Sequence, residues 1–183
     1  MKKLLNKIGL FGSIAILLIV GCATISGTWI LTYQLSENDT LVWYDDFYYG
    51  SIDMSDDGTW EDHVDNIKDI NMIGLEVWGT NNTSTDQEYD VYLDGAGSTL
   101  SGLSTRSEVA QNATLVLESL PLKSGGQQFI SYGQSLEYVR NVDKIKDLLE
   151  AGEMKFFAFS NISDTTNIHI DSVNIVITFT AGY

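Results

Sequence analysis

The sequence predicts an all-β fold, an antiparallel β-sandwich or jelly roll of about eight or nine strands with two short helices, behind an N-terminal signal segment. Three observations point there. Apolar and polar residues alternate at period two in segment after segment, which marks half-buried strands. Turn-forming clusters punctuate those segments: Glu37-Asn38-Asp39, Gly79-Thr80-Asn81-Asn82, Asp94-Gly95-Ala96-Gly97, Ser124-Gly125-Gly126 and 161–167. The chain has 183 residues, 44% of them hydrophobic and 19% charged, so it can bury a core and is short enough for one domain.

Taken in order, Trp29, Leu31, Tyr33 and Leu35 share one face of a strand over 28–35. A strand over 41–49 follows, rich in aromatic residues. Trp60, Val64, Ile67 and Ile70 recur at helical spacing behind Thr59 and Asp62, which predicts a helix over 59–70. Alternation returns with Ile73, Leu75 and Val77, with Tyr89, Val91 and Leu93, and with Leu115 and Leu117. Strands are expected over 127–133 and 153–160. Between them, Val142 to Leu149 form a helix that stops at Gly152, a suitable residue for the position after a helix end. Val64-Asp65-Asn66-Ile67-Lys68-Asp69-Ile70 and Val142-Asp143-Lys144-Ile145-Lys146-Asp147-Leu148 echo each other, as two helices capping the two ends of one sandwich would. In the last segment Ile168 and Ile170 are out of phase with Val173, Ile175, Ile177 and Phe179, so a bulge or turn is expected at Asp171-Ser172.

The first residues carry an address. Lys2, Lys3 and Lys7 precede a charge-free apolar run, Ile8 to Val20, and then Gly21-Cys22, the layout of an export signal. Leu18-Ile19-Val20-Gly21-Cys22 resembles the lipobox of bacterial lipoproteins, with the chain's only cysteine at the required position. That resemblance implies a signal peptide over 1–21, lipidation (diacylglycerol, often with a further acyl group) on Cys22, a short tether over 22–26 and an ectodomain over 27–183. Ala23 is unlike an inner-membrane retention signal, which favours the outer membrane if the cell is Gram-negative. The competing reading is an uncleaved signal anchor, since residues 8–25 nearly reach the length of a spanning helix. In both, the body lies outside the cytoplasmic membrane, in the cell envelope.

The leader holds three of the ten basic residues and none of the 25 acidic ones, which leaves the body at net charge −18. Such a surface excludes nucleic acid as a partner and favours cations or a basic protein. A single Cys excludes a disulfide framework and a multi-thiolate metal site.

Enzyme signatures are missing: there is no G-x-S-x-G, no H-E-x-x-H and no P-loop. Gly95-Ala96-Gly97-Ser98-Thr99-Leu100 starts like a dinucleotide fingerprint but lacks its last glycine, and reads as a loop. His63 and His169 are far apart in sequence and read as structural. No catalytic residue is therefore expected. A hydrolase built on two carboxylates is the remaining enzymatic alternative.

Two constellations suggest binding. Asp53, Ser55, Asp57 and Glu61 place oxygen atoms at alternating positions around Gly58, which could hold calcium, although Val64 stands where an EF-hand-type loop has its bidentate Glu. Trp43, Tyr44, Tyr48 and Tyr49 crowd one strand interrupted by Asp45 and Asp46, and could stack on sugar rings. The expected function is that of a membrane-anchored envelope lipoprotein with a non-catalytic β-sandwich that binds a glycan or a protein. The alternative is a structural component of an envelope complex.

Overall fold

A computed structural model describes residues 25–33, 47–54, 60, 64–161 and 167–181. Among them are eight strands: β1 (Ile25–Tyr33), β2 (Phe47–Asp53), β3 (Ile67–Asn81), β4 (Gln87–Gly95), β5 (Thr114–Leu122), β6 (Gly126–Ile130), β7 (Glu153–Ser160) and β8 (Ile168–Ala181). They form two four-stranded sheets, ordered β1-β8-β3-β6 and β2-β7-β4-β5. The first strand pairs with the last, the second with the seventh, the third with the sixth and the fourth with the fifth, all antiparallel. Ladders between β3 and β8 and between β4 and β7 complete the sheets. Except at the β4–β5 connection, each crossing carries the chain from one sheet to the other. This nested order is the jelly roll.

The last strand shows how the sequence reconciles two phases. Trp78 faces Ser172 and Gly79 faces Ile170, so Asp171 is the extra residue of a bulge. The bulge turns Ile170, Val173 and Ile175 towards the same intersheet space. The break expected at Asp171-Ser172 is that bulge, inside one continuous strand.

The helix expected over 59–70 is corrected from residue 64 onward: Trp60 is helical, but Val64–Asn66 form a 3₁₀ turn and β3 starts at Ile67. Two bulges explain the misleading spacing. Register shifts at Lys68 and Asn71 place Ile67, Ile70 and Ile73 opposite Ala181, Phe179 and Ile177. Each bulge lets two residues occupy one strand position, so a spacing of three keeps one face inward. Ile70 and Ile73 are buried there, with Ile67 and Val64 packed beside them.

Three helices are complete among the described residues: α1 (Arg106–Asn112), α2 (Tyr132–Ser135) and α3 (Val142–Glu150). The α3 helix is the one expected near 142–149, and Gly152 follows its end at φ +83°, where a side chain would be strained. Its Ile145, Leu148 and Leu149 join Met54, Trp60, Ile70, Leu93 and Met154 in one core cluster. Segments 64–70 and 142–148 therefore meet in the same cluster, and their echo is not a repeat of structure. A second cluster, with Val77, Tyr89, Leu117, Leu120, Leu122, Ile130 and Ile168, lies between the sheets beside the first.

A third layer covers the outer face of the β2-β7-β4-β5 sheet. Leu100 and Val109, from the β4–β5 connection, pack on Phe157 and Phe159, with Phe47, Tyr49, Tyr92 and Ala113 around them. The α1 helix begins with a reciprocal cap: Thr105 accepts from the Glu108 amide while the Glu108 carboxylate accepts from the Thr105 amide at 2.7 Å. Burial, with Asp90 nearby, pushes the Tyr92 phenol up.

Candidate ligand-binding face

The residues expected to bind calcium are mostly outside the described residues: Ser55, Asp57 and Glu61 lie there, as do Cys22 and His63. Asp53 is at the end of β2, exposed and opposite Glu153. Among the described residues no group of three or more His, Cys, Asp or Glu side chains could hold a metal ion, and no helix is long and apolar enough to cross a membrane.

Trp43 and Tyr44 also lie outside the described residues. Tyr48 and Tyr49 are neighbours on β2 and so project to opposite faces. Tyr48 turns inward, 5.5 Å from the Phe156 ring, and lines the intersheet space. Tyr49 turns outward, 5.3 Å from Phe157, beneath the third layer beside Gly102. Both rings are half-buried. The strand packs both faces because the β4–β5 connection roofs the outer one.

An exposed aromatic platform stands on the other sheet. On the outer face of β6, β3 and β8, Phe129 lies opposite Trp78, and their rings stack with centroids 4.3 Å apart. Phe129 is 45% exposed, although it belongs to a type that usually hides. The alternation of β3 explains the placement: Val77 points into the core, so Trp78 points out.

Polar groups flank the platform on both sides. One position further along β3, past Gly79, Thr80 lies between Gln127 of β6 and His169 of β8. The Asp171 carboxylate joins these two, accepting from Gln127 Nε2 at 2.9 Å and lying 3.0 Å from His169 Nε2. The bulge at Asp171 brings that side chain to the outer face. In the other direction, Glu76 accepts from Asn174 Nδ2 at 3.2 Å. Two rings and two carboxylate–amide pairs thus share the outer face, beside the stretch at Gly74 that α2 covers. His169, which reads as structural in the sequence, is half-exposed and part of this arrangement. Trp78 and Phe129 are 51 positions apart, so only the register of β3 on β6 reveals the pair.

A second polar cluster fastens the third layer. The Arg106 guanidinium donates to Asp90 Oδ2 at 2.7 Å, to Asn161 Oδ1 at 2.6 Å and to the Ser160 carbonyl at 3.1 Å, and its centre sits 5.4 Å from the Phe159 ring centroid. Asp90 also accepts from the Ser119 amide at 2.9 Å, where Ser119 has φ +53° in a bulge of β5. Every strong donor and acceptor of this cluster is turned on its neighbours, which suits a clasp.

Comparisons with known proteins add little. No family model matches the chain, and no curated protein matches it. Among solved structures, one of desmodium yellow mottle tymovirus superposes with a TM-score of 0.38 at 10% identity, covering 88% of this chain and 83% of that one. The dimeric latent PorU of Porphyromonas gingivalis gives a TM-score of 0.28 at 11% identity, covering 87% of this chain and 13% of PorU. Both likenesses are too loose to bear on function.

Proposed function

We propose that the chain is a lipid-anchored lipoprotein of the bacterial envelope, and that its jelly roll is a non-catalytic binding module for a glycan. The binding face is the outer surface of β6, β3 and β8. The observation that carries this reading is the stacked Trp78–Phe129 pair, with Phe129 exposed and Trp78 half-buried, between the Gln127–Asp171–His169 and Glu76–Asn174 groups. Sugar rings present apolar C–H faces ringed by hydroxyl groups, so they suit flat aromatic surfaces bordered by carboxylate acceptors and amide donors. The lipobox-like Leu18 to Cys22 segment supports the anchor and the envelope address. The strongly acidic body makes anionic polysaccharides poor ligands and neutral ones good candidates.

The test is retention of the full chain, in detergent, on immobilised neutral polysaccharides and on isolated peptidoglycan. Phe129→Ala should weaken retention about tenfold or more, given the roughly 1–3 kcal/mol that a ring stacked on a planar ligand contributes elsewhere, and should leave the melting midpoint nearly unchanged. Retention that Phe129→Ala and Asp171→Ala both leave intact would remove this face as the site. Loss of the lipid mass in Cys22→Ser, seen by mass spectrometry of the membrane fraction, tests the anchor separately.

A further inference from the structure

The two sheets do not fill the space between them. An apolar cavity of about 210 Å³ lies there, and no polar atom contributes to its wall. Its lining runs along β3 from Ile73 to Val77 and along β8 from Ile170 to Ile175, with Val91 of β4 and Phe156 of β7 on the opposite side. The lining also takes in Ile52 of β2, Leu120 of β5 and Leu149 of α3, so the cavity is a slot that extends across the sheet as well as along its strands. Protein interiors are normally close-packed. An engineered apolar cavity of about 150 Å³ is already large enough to stay dry and take up benzene. Leaving a larger one empty forfeits much of a domain's net stability.

We propose that this slot is a binding site for one unbranched acyl chain, as carried by a fatty acid or a membrane lipid. The chemistry of the wall selects the occupant. A glycan, a peptide or a nucleotide would bring hydrogen-bonding groups into a space that offers no partner, at a cost no apolar contact offsets. A methylene chain brings none, and rotation about its C–C bonds lets it fit a space that runs both along and across the strands. The carboxylate or headgroup stays outside the wall described here. This site lies on the opposite side of the sheet from the Trp78–Phe129 platform, and the inference does not depend on that platform binding a glycan.

The test uses the full chain in membranes, with a fatty acid carrying a diazirine in its alkyl chain. Illumination should place adducts on Leu75, Val91 and Val173, read by peptide mass spectrometry. Val173→Phe and Leu75→Phe fill the slot, and each should reduce labelling of the other lining positions by about tenfold while the melting midpoint stays or rises. Adducts confined to the apolar N-terminal segment overturn the proposal. Labelling of the lining that neither variant reduces also overturns it. If both variants unfold the protein, no room exists for an added ring, and the site is equally refuted. A lysophospholipid with the same diazirine chain distinguishes the source: labelling by the free acid alone identifies a fatty acid, and labelling by both identifies the acyl chain of a membrane lipid.

Discussion

Arg106 of α1 and Asp90 of β4 meet at 2.7 Å, one of the contacts that join the third layer to the sheet beneath it. Asp90 is only 14% exposed and also supports the bulged Ser119, so the pair holds two irregular features at once. Arg106→Ala should lower stability by about 1–3 kcal/mol, the range for losing hydrogen bonds to a largely buried charge. Arg106→Lys should recover little of this, because an ammonium cannot fork to Asp90, Asn161 and the Ser160 carbonyl together. Urea unfolding measures the loss. Faster amide exchange confined to α1 and Ser119 would show that the clasp has opened locally.

Gly74 is where α2 rests on the β1-β8-β3-β6 sheet. A Cβ there would lie 2.6 Å from the Tyr132 ring and 3.0 Å from Ser135 Oγ, the atom that accepts from the Leu75 amide at 2.8 Å. Gly74→Ala should therefore destabilise by about 1–3 kcal/mol, as overpacking does. Removing the obstructing ring should relieve it. The double variant Gly74→Ala with Tyr132→Ala is expected to lose clearly less than the sum of the single losses, and strict additivity in thermal melts would contradict the contact.

Two exposed carboxylates make stability depend on acid. The Thr105 amide, and then its hydroxyl, hold the Glu108 carboxyl below its ordinary value of 4.5. The Ser124 amide and then Lys123 hold Asp86 below 3.8. A folded-state value below the unfolded one gives stability that is present above the unfolded value and lost as pH falls through the folded value. The urea midpoint should thus decline below about pH 5 and keep declining through the carboxylate range. Glu108→Gln preserves a capping box without the charge, so its decline should be shallower. An identical pH profile for wild type and Glu108→Gln would remove the cap as a source. Lys123 runs the other way: Asp86 raises it above 10.5, so its contribution is present below that value and fades at higher pH.

The sheet content was legible because most strands obey period two, and β7 was expected over its observed 153–160 span. The bulge at Asp171 was legible too, since a phase change between two apolar runs has few other causes. Two helix starts went unread although their residues state them: Thr105 with Glu108 and Ser131 with Gln134 form reciprocal caps at α1 and α2. The platform could not be read. Trp78 alone is one aromatic among many, and its partner Phe129 is fixed by a register that local pattern does not encode. The intersheet slot was equally hidden, because alternation tells which residues point inward but not whether their volumes fill the gap.

The start of β3 misled for a reason that can be tested. Ile67, Ile70 and Ile73 share the inner face only because the bulges at Lys68 and Asn71 each absorb one residue. Deleting Asn71 removes one bulge and reverses the phase of everything before it, which sends Ile67 and Ile70, the latter 1% exposed, towards solvent or forces β3 to slip on β8. The expected loss is about 2–5 kcal/mol, comparable with removing a buried aliphatic side chain. Substituting the same residue should do far less. Asn71→Ala removes one exposed hydrogen bond to Thr180 Oγ1 at 3.0 Å, so about 0.5–1.5 kcal/mol at most is at stake. With a helix over 59–70, Asn71 would lie in the link behind it, where deletion and substitution should cost about the same, whereas in the jelly roll the deletion breaks the longest ladder of the sheet. Urea unfolding of the two variants side by side decides between them, and a deletion no more costly than the substitution would refute the bulged register.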